Sequence, residues 1–203
     1  MPTTVEVFVD YVCPYCFLVE STLEQLRRDR DVEIVIRPFE LRPDPVPTLR
    51  PEDDYLPRVW HRSVYPMARG LGIDITLPTV SPQPRTEPAF VLLQLAAEHG
   101  VAAEYSTAVF RAFFQQNRDI GEAGVLLDIA TSVGLDATEA VAALHDTERR
   151  ERQRAAQRDA VESIGVTAVP SFRIGDDLLP GVLDADTLVR AVDRATGRSE
   201  LPR

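Results

Sequence analysis

The sequence predicts an α/β fold in which a β-α-β opening and a β-β-α ending are separated by a large all-helical insertion. Three observations predict it. The hydrophobic period switches from strand to helix inside "VEVFVDYVCPYCFLVESTLEQL" near the N-terminus; the middle of the chain reads as helix almost without interruption up to Gly165; the strand period then returns in "AVPSFRIG". At 203 residues the chain is long enough for one large domain or one domain with an elaborate insertion.

Each element follows from local chemistry. "TVEVFVD" at residues 4–10 is β-branched and aromatic with partial alternation, which predicts a strand. Leu18, Thr22 and Leu26, with Val19 and Leu23, recur at helical spacing, so one helix is expected from about Pro14 to Arg28. Proline is acceptable at its first position because the missing N–H would have no partner there. "DVEIVIRPF" predicts a second strand. Pro43, Pro45, Pro47, Pro51 and Pro57 then exclude regular structure from "RPDPVPTLRPEDDYLP", which reads as an ordered crossing loop.

A short helical stretch is expected around residues 59–71, and a second proline-rich passage, "LPTVSPQPRTEP", follows it. Thr86 is placed to cap a helix through "PAFVLLQLAAEHG", with Gly100 as its stop. Further helices are expected at about 102–117 and 122–133. Asp136 with Glu139 forms a capping-box-like start for "ATEAVAALH", and a long charged helix should run from about Thr147 to Ile164. Two short strands joined by a Gly-Asp-Asp turn and a helix in "DADTLVRAVDRATG" end the pattern; "RSELPR" reads as a loose tail.

Composition narrows the function classes. The net charge is −10, and all 22 basic residues are arginine. Nucleic-acid binding needs a positive footprint, so no nucleic-acid partner is expected. The densest basic run, "RRERQRAAQR", is broken by glutamate and reads as a solvated helix face, so Arg149, Arg150, Arg152 and Arg154 receive no functional role. No apolar run is long enough to span a bilayer, and "MPTTVEVFVD" lacks the regions of a secretory signal, so a cytoplasmic location without membrane association is expected.

The chain's two cysteines, Cys13 and Cys16, stand in a C-x-x-C at the strand-to-helix junction. Unpaired N–H groups and the positive dipole end of the first turn should stabilise a Cys13 thiolate and lower its pKa below the free value of about 8.5. Cys16 follows about one turn on and deeper, close enough to resolve a mixed disulfide. Pro14 and Tyr15 between them restrict the backbone and tune the couple without adding a titrating group that matters near neutrality. Zinc would need four ligands, of which this pair supplies two, and His61, His99 and His145 share no common spacing; no metal is expected. Two inert buried thiols are the remaining reading. A second signal lies far along the chain in "GVTAVPSF", where Pro170 interrupts a strand pattern; a cis Val169–Pro170 bond would reconcile the two.

"CPYC" at a strand-to-helix junction, a helical insertion, and "VTAVPSF" before a closing β-β-α resemble the DsbA-like thiol–disulfide oxidoreductases of the thioredoxin superfamily, most closely the FrnE-type branch. "RPFELRPD", "PRTEPAF", "FFQQNRDIGEAGVLLDIATSVGLD" and "AVESIGVTAVPSFRI" extend the likeness over nearly the whole chain. The resemblance implies a thioredoxin-like domain of residues 1–44 and 151–203 split by a helical insertion of residues 45–150. It makes Cys13 the nucleophile, Cys16 the resolving thiol and Pro170 a cis-proline beside them, with the Val169 backbone receiving an extended substrate. No bound cofactor is implied, although glutathione fits as a co-substrate. The partner would be a protein or low-molecular-weight thiol or disulfide, and the chain a monomer or homodimer.

Two departures from the family pattern matter. Ala168 stands where glycine often precedes the Val-Pro pair, and Pro-Tyr replaces the Pro-His of DsbA. A less oxidising couple than DsbA, whose potential is about −120 mV, is therefore expected. A rival reading comes from the related kappa transferases and 2-hydroxychromene-2-carboxylate isomerases, which use glutathione and usually carry serine at the nucleophile's position. A redox-inert binding protein is a third. Among other residues, Asp10 reads either as an influence on proton transfer at Cys16 or as a surface carboxylate. Tyr11 and Tyr15 read as packing aromatics or groove lining; Glu40, Trp60 and His61 as mainly structural; Arg85 and Glu87 as loop and first-turn residues.

Overall fold

The computed structural model describes residues 2–197. The predicted "RSELPR" tail lies outside the described residues. Strand β1 (Thr3–Val9) pairs in parallel with β2 (Val32–Pro38) and antiparallel with β3 (Ser171–Ile174), which turns back through Gly175 and Asp176 into β4 (Asp177–Pro180). The sheet order is β2-β1-β3-β4, so β1 is central. Its Val5, Val7, Phe8 and Val9 are buried, as a strand covered on both faces requires. The C-terminal end of β1 therefore opens into the middle of the molecule, with β2 ending beside it.

The helix expected over residues 14–28 is two helices. Helix α1 (Pro14–Leu18) bends at Val19 into α2 (Glu20–Asp29). Val19 sits near the helical region at ψ −4°, and the Leu23 N–H still bonds to its carbonyl at 3.0 Å, so the chain bends without unwinding. Periodicity cannot see such a bend, because the apolar face continues through it.

Between β2 and β3 the chain is helical. Helix α3 (Tyr55–Val59) passes through a π-helical turn (Trp60–Val64) into α4 (Tyr65–Leu71). Helices α5 (Glu87–Glu98), α6 (Ala102–Phe114), α7 (Ala123–Ser132), α8 (Ala137–His145) and α9 (Thr147–Asp159) follow. Asp136 caps α8 through the N–H groups of Thr138 and Glu139, as its sequence position predicts. The long charged helix ends in a π turn (Ala160–Ile164); Gly165 at φ +82° then lets the Val166 N–H reach back to the Ala160 carbonyl at 2.8 Å. The domain boundary drawn at residues 150 and 151 falls inside α9, which packs against both α5 and β2. The last helix, α10 (Ala185–Ala195), packs against α2 and β3.

An aromatic cluster joins the insertion to the sheet. Tyr11 stacks on Phe90 of α5 with ring centroids 4.6 Å apart and meets Phe110 of α6 edge-on at 5.0 Å. Phe17 and Trp60 both reach Phe114. Truncating such a buried ring costs about 3–5 kcal/mol, so this cluster fixes the insertion against the loop that follows β1.

Candidate active site

Where β1 ends, the chain turns through Asp10, Tyr11 and Val12 before α1 begins. The Cys13 N–H donates to the Asp10 carbonyl at 3.0 Å, and the Cys16 N–H donates to the Cys13 carbonyl at 3.1 Å. Cys13 has extended backbone (φ −89°, ψ 112°) as the cap of α1, with Pro14 at the first helical position. Both cysteines are free thiols; Cys13 is 4% exposed and Cys16 1%. The deeper Cys16 agrees with its expected place one turn farther from solvent.

The distant Val-Pro loop comes back to the same point. The Cys13 thiol points at the Val169 carbonyl, 3.6 Å away and 156 residues on in the chain. The Val169–Pro170 peptide bond is cis. The Ser171 hydroxyl donates to the Ala168 carbonyl at 2.6 Å and the Gly181 N–H to the Pro170 carbonyl at 2.8 Å, so both sides of that bond are tied down. Tyr15, between the cysteines, donates its hydroxyl to Ser63 in the π turn at 2.8 Å, fastening the redox dipeptide to the insertion.

Behind the thiols the environment changes. Burial pushes the Cys16 thiol well up; its hydrogen bond with Cys13 and the Cys13 charge add to this, the Asp10 backbone N–H opposes it, and the Asp10 carboxylate adds to it again. Asp10, 1% exposed, is itself raised to about 6 by burial, against hydrogen bonds from the Leu41 N–H (2.8 Å), the Thr86 side chain and the Val12 N–H. Asp10 is thus a buried carboxyl and not a surface one. Thr86 faces Asp10 and does not cap α5, whose N-terminus has no side-chain cap.

Glu40 is 7% exposed, and burial followed by the Asp10 charge raises it to about 7. Gln157 of α9 clamps its backbone, accepting from the Glu40 N–H at 2.7 Å and donating to its carbonyl at 3.1 Å. The carboxyl takes a long 3.5 Å bond from the buried Gln153. On its other side Glu40 lines a cleft of about 660 Å³ with Pro43, Arg85, Glu87, Arg154 and Arg158.

The remaining sequence candidates are structural. Tyr11 and Trp60 are buried in the aromatic cluster, and His61 is exposed beside Tyr65. Arg85 donates to the Arg42 carbonyl, and Glu87 pairs with Arg154. Arg149 pairs with Glu98 at 2.6 Å, and Arg152 lies near Glu148. Ser63, Gln153 and Gln157 escaped the sequence reading: each meets the site only through tertiary packing, and none carries a local motif.

The model of the DsbA-like thioredoxin domain matches residues 4–193. The chain belongs to this family. Over 193 residues it is 40% identical to the uncharacterized protein YwbO of Bacillus subtilis (strain 168), covering 95% of this chain and 96% of that one. Among solved structures it is similar to SCO1869, a "probable DsbA oxidoreductase" from Streptomyces coelicolor, at 26% identity and TM-score 0.77, covering 99% and 93% of the two chains. The same fold occurs, at 18% identity in each case, in a 2-hydroxychromene-2-carboxylate isomerase (TM-score 0.74, 96% and 95% covered) and in the cytosolic disulfide reductase DsbM of Pseudomonas aeruginosa with GSH (TM-score 0.65, 96% of each). The C-x-x-C pair at the strand-to-helix turn, Cys13 and Cys16, lies within the matched residues. Among the described residues no helix is long and apolar enough to cross a membrane.

Proposed function

We propose that this protein is a thiol–disulfide oxidoreductase of the FrnE-type branch, working in the cytoplasm without metal or bound cofactor. The observation that carries the reading is the meeting of three parts: Cys13 at the cap of α1, Cys16 one turn behind it, and the Val169–Pro170 loop with its carbonyl 3.6 Å from the Cys13 thiol. In the reducing direction the Cys13 thiolate attacks a substrate disulfide, forming a mixed disulfide and releasing one substrate thiolate. The Cys16 thiolate then attacks the Cys13 sulfur, releases the second thiolate and leaves the Cys13–Cys16 disulfide. The oxidising direction reverses these steps. Val169 receives extended substrate backbone by short strand addition, and Pro170 shapes that edge.

Glutathione is the favoured low-molecular-weight partner, because DsbM, which shares the fold, is a structure with GSH. An isomerase or transferase of the 2-hydroxychromene-2-carboxylate type is the second reading, since that fold is nearly as similar as that of SCO1869. The second thiol favours the first reading, because an isomerase uses at most the position of Cys13. Equilibration in graded glutathione buffers, followed by alkylation and intact mass, tests the choice. A reversible Cys13–Cys16 disulfide with a definite midpoint is expected, together with trapped mixed disulfides in Cys16→Ser. A pair that stays reduced at every ratio overturns the oxidoreductase reading.

A further inference from the structure

We propose that the outer edge of β2 is a self-complementary interface, at which two copies of this chain pair antiparallel about a two-fold axis through Val35. The contact does not depend on the exchange reaction above.

β2 stands at the end of the sheet order, so one of its sides bonds to β1 and the other meets no strand. The bonds at the two ends of the β1–β2 pair fix which residues turn which way. The Thr3 N–H donates to the Asp31 carbonyl at 3.1 Å, and the Phe39 N–H donates to the Val9 carbonyl at 2.9 Å. In a strand the N–H and C=O of one residue point to the same side and those of the next residue to the other, so Glu33, Val35 and Arg37 turn to β1 as Asp31 and Phe39 do. Val32, Ile34 and Ile36 turn their N–H and C=O groups outward. Pro38 belongs to the same outward set, where its missing N–H breaks no bond to β1 and marks the end of the pairing edge. With α2 and α9 packed on the strand, Val32, Ile34, Val35 and Ile36 are still only half-buried. The edge is therefore apolar, seven residues long and unpaired, which is the kind that recruits another strand.

Charges on an edge usually block such pairing, but here they match. An antiparallel copy centred on Val35 sets Ile34 opposite Ile36 of the second copy, so the outward N–H and C=O groups of both are exchanged, twice by symmetry. The same register sets Glu33 opposite Arg37 of the second copy and Val35 opposite itself, at the positions without ladder bonds, where side chains come closest. Centring the pair on Ile34 or on Ile36 would set Glu33 opposite Val35 or Phe39 and lose that contact. Glu33 is exposed and, among the described residues, has no ion pair. Arg37 is anchored through Nε to Glu6 at 3.3 Å and lies 3.9 Å from Asp159, yet its side chain is 34% exposed, so the guanidinium is pre-set and reachable. Beside the strand a cleft of about 380 Å³, lined by Val35, Pro38, Phe90, Leu93, Ala97 and Ala156 among others, adds apolar surface for the second copy to cover. Charge pattern, outward bonding groups and apolar surface thus name the same occupant.

Sedimentation equilibrium of the full chain from about 1 µM to about 200 µM should show the mass rise from 22.6 kDa to twice that value and stop there, because a two-fold contact closes. Glu33→Arg, at an exposed position, sets arginine opposite arginine twice and should weaken the dimer about 10-fold or more. Arg37→Glu should weaken it likewise, and an equimolar mixture of the two variants should associate as wild type does, since each charge then meets its opposite. A structural defect in either variant would not be repaired by mixing. Should Arg37→Glu fail to fold, because it brings a third carboxylate beside Glu6 and Asp159, amide hydrogen exchange of wild type decides: the Ile34 and Ile36 amides should slow as protein concentration rises. A mass that stays at 22.6 kDa throughout, a mass that climbs past two copies, a dimer indifferent to Glu33→Arg, or Ile34 and Ile36 amides equally fast at every concentration overturns the proposal.

Discussion

The two sides of the thiol pair are built from different chemistry. In front of Cys13 stand a backbone carbonyl from Val169 and the neutral Tyr15–Ser63 hydrogen bond. On the inner side lie two buried carboxyls: Asp10, which accepts from the Leu41 N–H, and Glu40, held by Gln153 and Gln157. The front offers a backbone carbonyl and a hydroxyl–hydroxyl bond, groups suited to recognising backbone and shape. The back offers carboxyls that burial raises to about 6 at Asp10 and about 7 at Glu40, so its charge is the part that responds to pH. The division teaches that substrate capture and disulfide resolution should respond separately to mutation and to pH.

The sharpest break in the comparison is between the cysteines themselves. Cys13→Ser should abolish exchange with glutathione disulfide altogether, because it removes the thiol that points at the Val169 loop. Cys16→Ser should retain the first step, accumulate the mixed disulfide and lose turnover. Quantitative mass analysis of both variants under one glutathione disulfide challenge checks this. Equal loss of the first step in Cys16→Ser would mean that the two sides do not act independently.

A second prediction uses a further carboxyl, the partly buried Glu20 of α2. Burial raises Glu20 of α2 to about 7, against a 2.9 Å bond from Thr107 and the charge of Arg111. Its folded-state pKa lies above its ordinary value of 4.5, so the folded protein holds a proton that the unfolded chain has already released. The stability this contributes is fully present below about pH 4.5 and is lost as pH rises through about 7. Glu20→Gln should therefore gain about 2 kcal/mol over wild type at pH 8 and almost nothing at pH 4, read from urea denaturation at each pH. It should leave the rate at which Cys13 captures glutathione disulfide unchanged. A changed rate would mean that this carboxyl also acts on the thiols, and the distinction between front and back would lose its basis.

What was legible in the sequence follows the same division. The front was largely readable: a C-x-x-C at a change of hydrophobic period and a proline in a strand pattern are local signals, and they named Cys13, Cys16, Val169 and Pro170 together. The back was only half readable. Asp10 and Glu40 stand near strand ends, but nothing local shows that both are buried. The Gln157 clamp spans 117 residues and the Tyr15–Ser63 bond 48, distances at which periodicity and capping rules are silent. Thr86 misled for a related reason: a threonine before a helix satisfies the local capping pattern, yet the buried Asp10 carboxylate competes for its hydroxyl. The bend at Val19 and the two π turns left no trace because the apolar face runs through all three.

The smallest expected effect tests whether the front is as pH-neutral as its groups imply. Ser63→Ala removes the partner of the Tyr15 hydroxyl, and both side chains are part-buried, so the stability cost should be about 1 kcal/mol. The Tyr15 ring keeps its place beside the thiols but loses its tether to the π turn, so capture of glutathione disulfide by Cys13 should change by no more than a few-fold. Because the contact joins two hydroxyls and no carboxyl, any change should be the same at pH 6 and pH 8. Stopped-flow measurement of the first step at both values, beside a thermal melt, checks this. A pH-dependent change would show that the Tyr15 tether is coupled to the buried carboxyls Asp10 and Glu40, and the front would then not be separate from the back.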